Sequence, residues 1–307
     1  MSAHPKRSAE QVVVNPPAAS LGMRNAILWG QGKQYHVADF PGPLSIKTVL
    51  RGSARWATSE ADRLVDEGSY LVLNSGQTYT ITIDARETVE TFCLFFRPGL
   101  AEDIFQTAAS RPESLLDDPF RETARSVEFF ETLRTHDALV SPLVRRIHTR
   151  LKEKTASDPW LEDQFLAVAS ALCKVHGEAE KHAALIPAKK YSTRIELYRR
   201  LLRGKDYMDS FFGGPLGLEQ VAAEACLSSY HFHRLFREVF RETPNQYLQR
   251  KRLAEAKRLL ERGYTSVTEV CLAVGFESIP SFSGLFRRNF GYSPREYRAL
   301  KAARPQP

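Results

Sequence analysis

A unit used twice near the C-terminus constrains this chain of 307 residues more than any other feature. The first copy reads Phe232-His-Arg-Leu235-Phe236-Arg237-Glu-Val-Phe240, followed by Thr243-Pro244-Asn-Gln246-Tyr247. The second reads Phe282-Ser-Gly-Leu285-Phe286-Arg287-Arg-Asn-Phe290, followed by Ser293-Pro294-Arg-Glu296-Tyr297. Each matched residue lies fifty positions from its counterpart. A period in this range marks a duplicated supersecondary unit, and two copies are too few for a solenoid.

Within the first copy Phe232, Leu235, Phe236 and Val239 share one face of a helix, which must be buried. The preceding helix offers Leu218, Val221 and Ala222 to cover it, and Ala222, Ala223 and Ala225 permit close approach. The opposite face carries Tyr230, His233, Arg234, Arg237 and Arg241. Two short helices across a tight turn (Cys226 to Ser228), the second basic on its outer side, follow the helix-turn-helix plan. The second copy repeats it. Val270, Ala273 and Val274 precede Gly275-Phe276, Phe282, Leu285 and Phe286 point inward, and Arg287 and Arg288 point out. A plain helical bundle with a solvated basic face would share these periodicities.

Charge separates the two readings. The net charge is +7, yet from Thr193 onward there are 20 Lys/Arg against 12 Asp/Glu, so the whole excess lies with the repeat. A basic C-terminal part on a near-neutral N-terminal one predicts a polyanionic partner for the former.

Upstream, the pattern from Ala26 to Arg97 is β. Leu44 to Leu50, Ser69 to Leu73, Tyr79 to Ile83 and Thr88 to Phe96 are rich in β-branched and aromatic residues. Asp66-Glu-Gly68, Asn74-Ser-Gly76 and Asp84-Ala-Arg86 carry turn chemistry. Short strands without intervening helices predict an antiparallel sandwich or small barrel. Helical spacing follows over Leu100 to Ala109, Glu128 to Arg134, Leu139 to Lys154 and Trp160 to Glu178, the last opened by Asp158-Pro159. These helices either pack on the sheet or form a dimer surface.

The expected organisation is a disordered tail (1–24), a β domain (25–98), a helical packing or dimerisation segment (99–180), a linker (181–192) and an all-α domain (193–302). Capping boxes at Thr193-x-x-Glu196 and Ser266-x-x-Glu269, with caps at Thr243 and Ser293, mark helix starts in the last of these. The fold class is therefore α+β and multidomain. The tail holds Lys6 and Arg7 but no apolar stretch long enough for a signal peptide, and no run elsewhere is long enough to span a bilayer, so a cytoplasmic protein is expected. Cys93, Cys173, Cys226 and Cys271 have no paired spacing and read as reduced thiols.

Val221-Ala222, Phe232-x-x-Leu235-Phe236-Arg237, Pro244-x-x-Tyr247, Arg252-Leu253-x-x-Ala256-x-x-Leu259-Leu260, Gly275-Phe276 and Pro294-x-x-Tyr297-Arg298 closely resemble the AraC/XylS family of transcription regulators. The resemblance covers Leu218 to Arg298. It implies two helix-turn-helix units joined by a long helix from Pro244, with recognition helices in successive major grooves of double-stranded DNA about 34 Å apart. It also implies an activator that works with RNA polymerase. Carried over residue by residue, the DNA-contacting set is Ser229, Tyr230, His233, Arg234 and Arg237 in the first unit. In the second it is Ser278, Ser281, Arg287 and Arg288. The second unit departs from the pattern by placing Ile279, Pro280 and Gly284 where polar readers are usual, so its expected part is phosphate contact.

The β segment followed by helices resembles the cupin-like sensor and dimerisation half of that family. The strands contain a single histidine, His36, and Gln77 stands where a metal cupin favours His, so no metal is expected. An organic effector remains compatible, with Trp56, Tyr70, Tyr79 and Phe92 as its candidate lining; simple core is their alternative role. His136, His148 and His176 are expected on helices, in packing or solvent roles. A ligand-independent DNA binder whose N-terminal half only dimerises or contacts a partner is the competing reading. An enzyme, whether metal cupin or alkyl-transfer repair protein, fails for want of clustered ligands.

Overall fold

The computed structural model describes residues 12–109, 127–261 and 266–302. The chain divides into two compact units, Met1–Lys181 and His182–Pro307. No helix among the described residues is long and apolar enough to cross a membrane.

Among its described residues the first unit is built on eight strands: β1 (Val13–Val14), β2 (Ala26–Pro41), β3 (Ser45–Arg51), β4 (Ser53–Thr58), β5 (Asp62–Asp66), β6 (Ser69–Leu73), β7 (Thr78–Phe95) and β8 (Leu133–Thr135). Their hydrogen-bonded order is β1-β2-β7-β3-β6-β8, with β4 paired to β5 and β7. All pairs are antiparallel except β1 with β2. The long strand β7 organises the rest. Its first half pairs with β2 and β4, its second half with β2 and β3. At the join the partners jump from Gly32↔Val89 to Gln34↔Asp84, leaving residues 85–88 outside the ladder with β2. An insertion of this kind bends a strand and increases its twist.

Asp84-Ala-Arg86 was expected to be a turn between two strands; it is instead this bulge within one. Turn-forming residues relieve the corner without ending the strand. The rolled sheet buries both faces, as alternation along β7 shows. Phe92 and Leu94 join a cluster with Ile27, Ile46, Tyr70 and Val72, whereas Cys93 and Phe95 join another with Trp56, Val65, Leu71 and Tyr79.

Helices α1 (Leu100–Ala109), α2 (Ser141–Lys152) and α3 (Asp158–Ala184) follow. Val144 and Ile147 of α2 and Leu161, Phe165, Val168 and Leu172 of α3 complete the cluster around Phe92, so the apolar stripes expected from sequence are core. Two expectations fail here. Residues 128–134 are not helical: Phe129 and Phe130 are both buried, and Leu133–Thr135 pairs with β6 as an edge strand. Neighbouring side chains of an extended run point to opposite faces, so Phe129 and Phe130 are both buried because this segment is covered on each side. Residues 12–24 are not a disordered tail either. Val13 and Val14 pair with Ala26 and Ile27, and the Asn15 side chain exchanges hydrogen bonds with the Trp29 main chain at 3.0 and 2.7 Å. The rest of the expected tail, with Lys6 and Arg7, lies outside the described residues.

The second unit is helical: α4 (Tyr191–Phe211), α5 (Leu218–Glu224), α6 (Ser229–Phe240), α7 (Pro244–Glu261), α8 (Val267–Ala273), α9 (Ile279–Phe290) and α10 (Pro294–Ala302). Helix α4 starts before the capping box expected at Thr193; its N-cap is Lys190, without a side-chain cap. The expected linker is helical up to Ala184 and again from Tyr191. Helix α7 serves both halves, with Tyr247 buried beside the Phe236 ring and Leu253, Ala256 and Leu260 in the cluster of Phe282 and Phe286.

Candidate nucleic-acid interface

Each outward helix is held by the same local devices. Ser228 caps α6 by accepting from the His231 amide at 3.3 Å, and Ser278 caps α9 by accepting from the Ser281 amide at 3.4 Å. At the other end Arg241 (φ 60°) and Gly291 (φ 81°) close the two helices in the left-handed conformation. The following helices open with reciprocal caps, Thr243 with Gln246 and Ser293 with Glu296. Tyr247 meets Phe236 edge-on at 5.6 Å, and Tyr297 meets Phe286 edge-on at 5.7 Å. Each phenol donates to a carboxylate, Tyr247 to Asp209 and Tyr297 to Glu261. The paired cap and ring distances of the two copies thus agree closely.

Their outer faces differ. On α6 Tyr230 is 78% exposed, Arg234 and Arg237 are exposed, and Ser229 and His233 are partly so. Neither Arg234 nor Arg237 forms an ion pair among the described residues, so both guanidinium forks remain available. On α9 the exposed residues are Ile279, Pro280, Ser281, Gly284, Arg287, Arg288 and Asn289, with Ser278 exposed just ahead of them. A Cβ added at Gly284 would touch nothing within 4 Å, so this face is open and bare there. The nine DNA-facing candidates therefore fall on two exposed surfaces, α6 with residues able to read base edges and α9 with two arginines at its last turn.

The polar support beneath α6 gave no sequence signal. Asp209 is 7% exposed, accepts from Lys205 Nζ at 2.7 Å and from Tyr247 Oη at 2.7 and 2.8 Å, and lies 3.7 Å from Lys251 Nζ. Burial pushes its carboxyl up, but the two lysines and the hydrogen bonds outweigh that and hold it below the usual carboxylate range. In the second copy Arg252 takes the bridging part. It donates to the Phe212 and Gly214 carbonyls, each at 2.8 Å, just beyond the end of α4.

In the first unit a cavity of about 400 Å³ opens on the Trp56 side of the sheet. Trp56 and Tyr79 line it; Tyr70 and Phe92 do not, because they point to the other face. Tyr70 donates to Asp137 and borders a smaller recess of about 160 Å³ with His136. His136 is not on a helix but just after β8, between the Glu67 carbonyl (2.9 Å) and Ser141 (3.0 Å). His148 packs edge-on to Trp29 and Phe92 at 4.9 and 5.3 Å, and His176 lies 5.3 Å from Phe129 and Phe130. Lys47, absent from the sequence-based candidates, stands 1% exposed in the cavity wall.

A family model described as a helix-turn-helix domain matches residues 221–300, and one described as an AraC-like ligand binding domain matches residues 24–169. Neither describes an enzyme. The HTH-type transcriptional activator RhaS of Escherichia fergusonii is 38% identical over 92 residues, 30% of this chain and 33% of that protein. RhaS of Salmonella arizonae is 38% identical over 100 residues, 33% of this chain and 36% of that protein. The chain thus spans about a third of the length of these relatives. Among solved structures, the DNA-binding domain of AdpA in complex with a target DNA is 37% identical, covering 35% of this chain and 98% of that one at a TM-score of 0.34. An AraC-type regulator from Chromobacterium violaceum is 31% identical, covering 34% and 95% at a TM-score of 0.32.

Proposed function

The chain belongs to the AraC family of transcription regulators, and on that premise we propose that its two helix-turn-helix units do unequal work on duplex DNA. The observation that carries this reading is the matched frame with mismatched outer faces. Helix α6 specifies. Arg234 is suited to bidentate pairing with guanine O6 and N7, and Tyr230 to contact with a thymine methyl, with Ser229, His233 and Arg237 beside them. Helix α9 anchors. Arg287, Arg288 and the capped start around Ser278 and Ser281 suit phosphate oxygens, which position a protein without reading sequence. The bare surface at Gly284 supports this division.

The protein acts in this reading as an activator: a homodimer through its N-terminal half, in contact with RNA polymerase and responsive to a small organic effector. The cavity favours effector sensing over a purely dimerising half. An effector shifts the regulator only if it binds one domain arrangement better than the other.

Selection of a preferred site followed by anisotropy titrations tests the division. Arg234→Ala is expected to cost about 1–3 kcal/mol on the preferred site and to relax preference at one base pair. An unchanged preferred sequence would remove α6 from the reader's role. Arg287→Ala is expected to weaken preferred and unrelated duplexes alike and to lower the slope of log K against log salt by about 1. A loss confined to the preferred site would instead make α9 a reader.

A further inference from the structure

Lys47 sits in the middle of β3, where its neighbour Ile46 faces the helices and Lys47 itself faces the cavity. Its Nζ is 2.8 Å from Tyr79 Oη, 3.8 Å above the centre of the Phe95 ring and 4.4 Å above that of Tyr79. Among the described residues no Asp or Glu lines the cavity; its other titratable groups there are Tyr35, Tyr79 and Cys93. Among the described residues, two aromatic faces, one phenol and the neighbouring Cys93 are what offsets the burial of this ammonium. Cation–π contacts contribute about 0.5–2 kcal/mol, while burying an ion costs several. Burial accordingly lowers the Lys47 pKa to about 7, against a small opposing pull from Cys93. The remaining wall is mainly apolar, with Leu28, Val37, Trp56, Ile81 and Ile83 around it.

We propose that this cavity binds a small organic carboxylate with an apolar body, its charged group held by Lys47 and Tyr79. The proposal rests on the effector-sensing reading above and names the chemistry of the effector. An ammonium has three donors and Tyr79 occupies one, so two remain for an anion. A carboxylate there forms a charge-assisted hydrogen bond in a medium of low dielectric, where such a bond is strong. It supplies the negative charge that the wall lacks. An apolar cavity of about 150 Å³ already admits benzene, so this one has room for a larger body. An apolar pocket with a few placed polar groups is the usual form of a ligand site.

Calorimetric titration of the full-length protein with cinnamate, octanoate and their neutral amides tests it. At least one acid is expected to bind ten or more times more tightly than its amide, and Lys47→Met is expected to erase that difference. Binding to the charged amine raises its pKa. Above about pH 7 the acid should therefore draw up to one proton into the wild-type protein, seen as a dependence of binding heat on the ionisation enthalpy of the buffer. A lysine with a purely packing role would give no such uptake, and this reading needs no variant to fold. An amide that binds as well as its acid, or a preference that survives Lys47→Met, overturns the anion inference while leaving a ligand cavity. No binding by any of the four into the millimolar range overturns both the inference and the sensing role of this cavity.

Discussion

Asp209→Ala is expected to destabilise the fold around α4 and α7 by about 3–5 kcal/mol, the usual cost of breaking a buried ion pair from one side. The carboxylate is the meeting point of Lys205, Lys251 and Tyr247, and Tyr247 in turn packs on Phe236 of α6. An alanine there leaves a buried ammonium and a buried phenol facing a methyl group. Asp209→Asn should lie between, since it keeps an acceptor and loses the charge. The pH dependence has a definite sign. Asp209 is held below its ordinary value in the folded state, so its contribution is present above the unfolded carboxylate value of about 3.9 and is lost as pH falls through the folded value. Lys205 is raised, its coulombic and hydrogen-bonded tie to Asp209 outweighing the opposing effect of burial. Its contribution is thus complete below the unfolded lysine value of about 10.4 and fades only above it. Between roughly pH 5 and 10 the wild type and Asp209→Ala should differ by the full amount, with the gap closing in acid. Hydrogen exchange of the α7 amides in the full-length protein reads this directly; a difference under about 1 kcal/mol at pH 7 would mean the network is not a support.

The second unit was legible in sequence because its determinants are local. A buried helix face repeats at three and four residues, caps lie within three residues of the groups they satisfy, and duplication printed both patterns twice. Phe232, Leu235, Phe236, Phe282 and Phe286 are all core or close to it, and of the expected caps Thr243, Ser266 and Ser293 cap helices while Thr193 does not.

The first unit was less legible because its determinants are long-range. The stretch Gly30-Gln-Gly-Lys-Gln34 holds residues of low strand propensity, yet it runs through the middle of the 16-residue strand β2, where the pairing with β7 decides. Lys47 follows the alternation of a strand with one wet face, so a polar residue there raises no alarm. Only rolling of the sheet turns that face into a second interior and Lys47 into a buried cation. Asp209 hides for a similar reason, as an acid on a helix whose polar side becomes buried when α7 docks. Polar residues at positions that pattern alone marks as solvent were the least predictable, and they supply the ligand hypothesis and the main electrostatic support beneath α6.

Gly275→Ala is the second large effect expected, and it separates two causes that usually travel together. Gly275 has φ +83°, and an added Cβ would lie 2.7 Å from the Phe212 carbonyl oxygen and 2.9 Å from Arg252 Nη2. Neither neighbour can yield easily, since Arg252 is bonded to that same carbonyl and to Gly214 at 2.8 Å each. Gly291 has nearly the same φ, +81°, but nothing within 4 Å of its Cβ position. Gly291→Ala should therefore cost only the left-handed backbone penalty, about 1–2 kcal/mol. Gly275→Ala should add an overpacking cost of about 1–3 kcal/mol. In the first copy Cys226 holds the matching place at φ 50° with its side chain exposed, which is why a side chain is tolerated there. The close approach is thus particular to the second copy, where it clamps the turn before α9 to the end of α4. Loosening that clamp should weaken the phosphate anchor on every DNA sequence while leaving the base preference of α6 intact. Unfolding measurements on both glycine variants decide the point: equal costs at 275 and 291 would leave backbone conformation as the whole effect and the clamp without consequence.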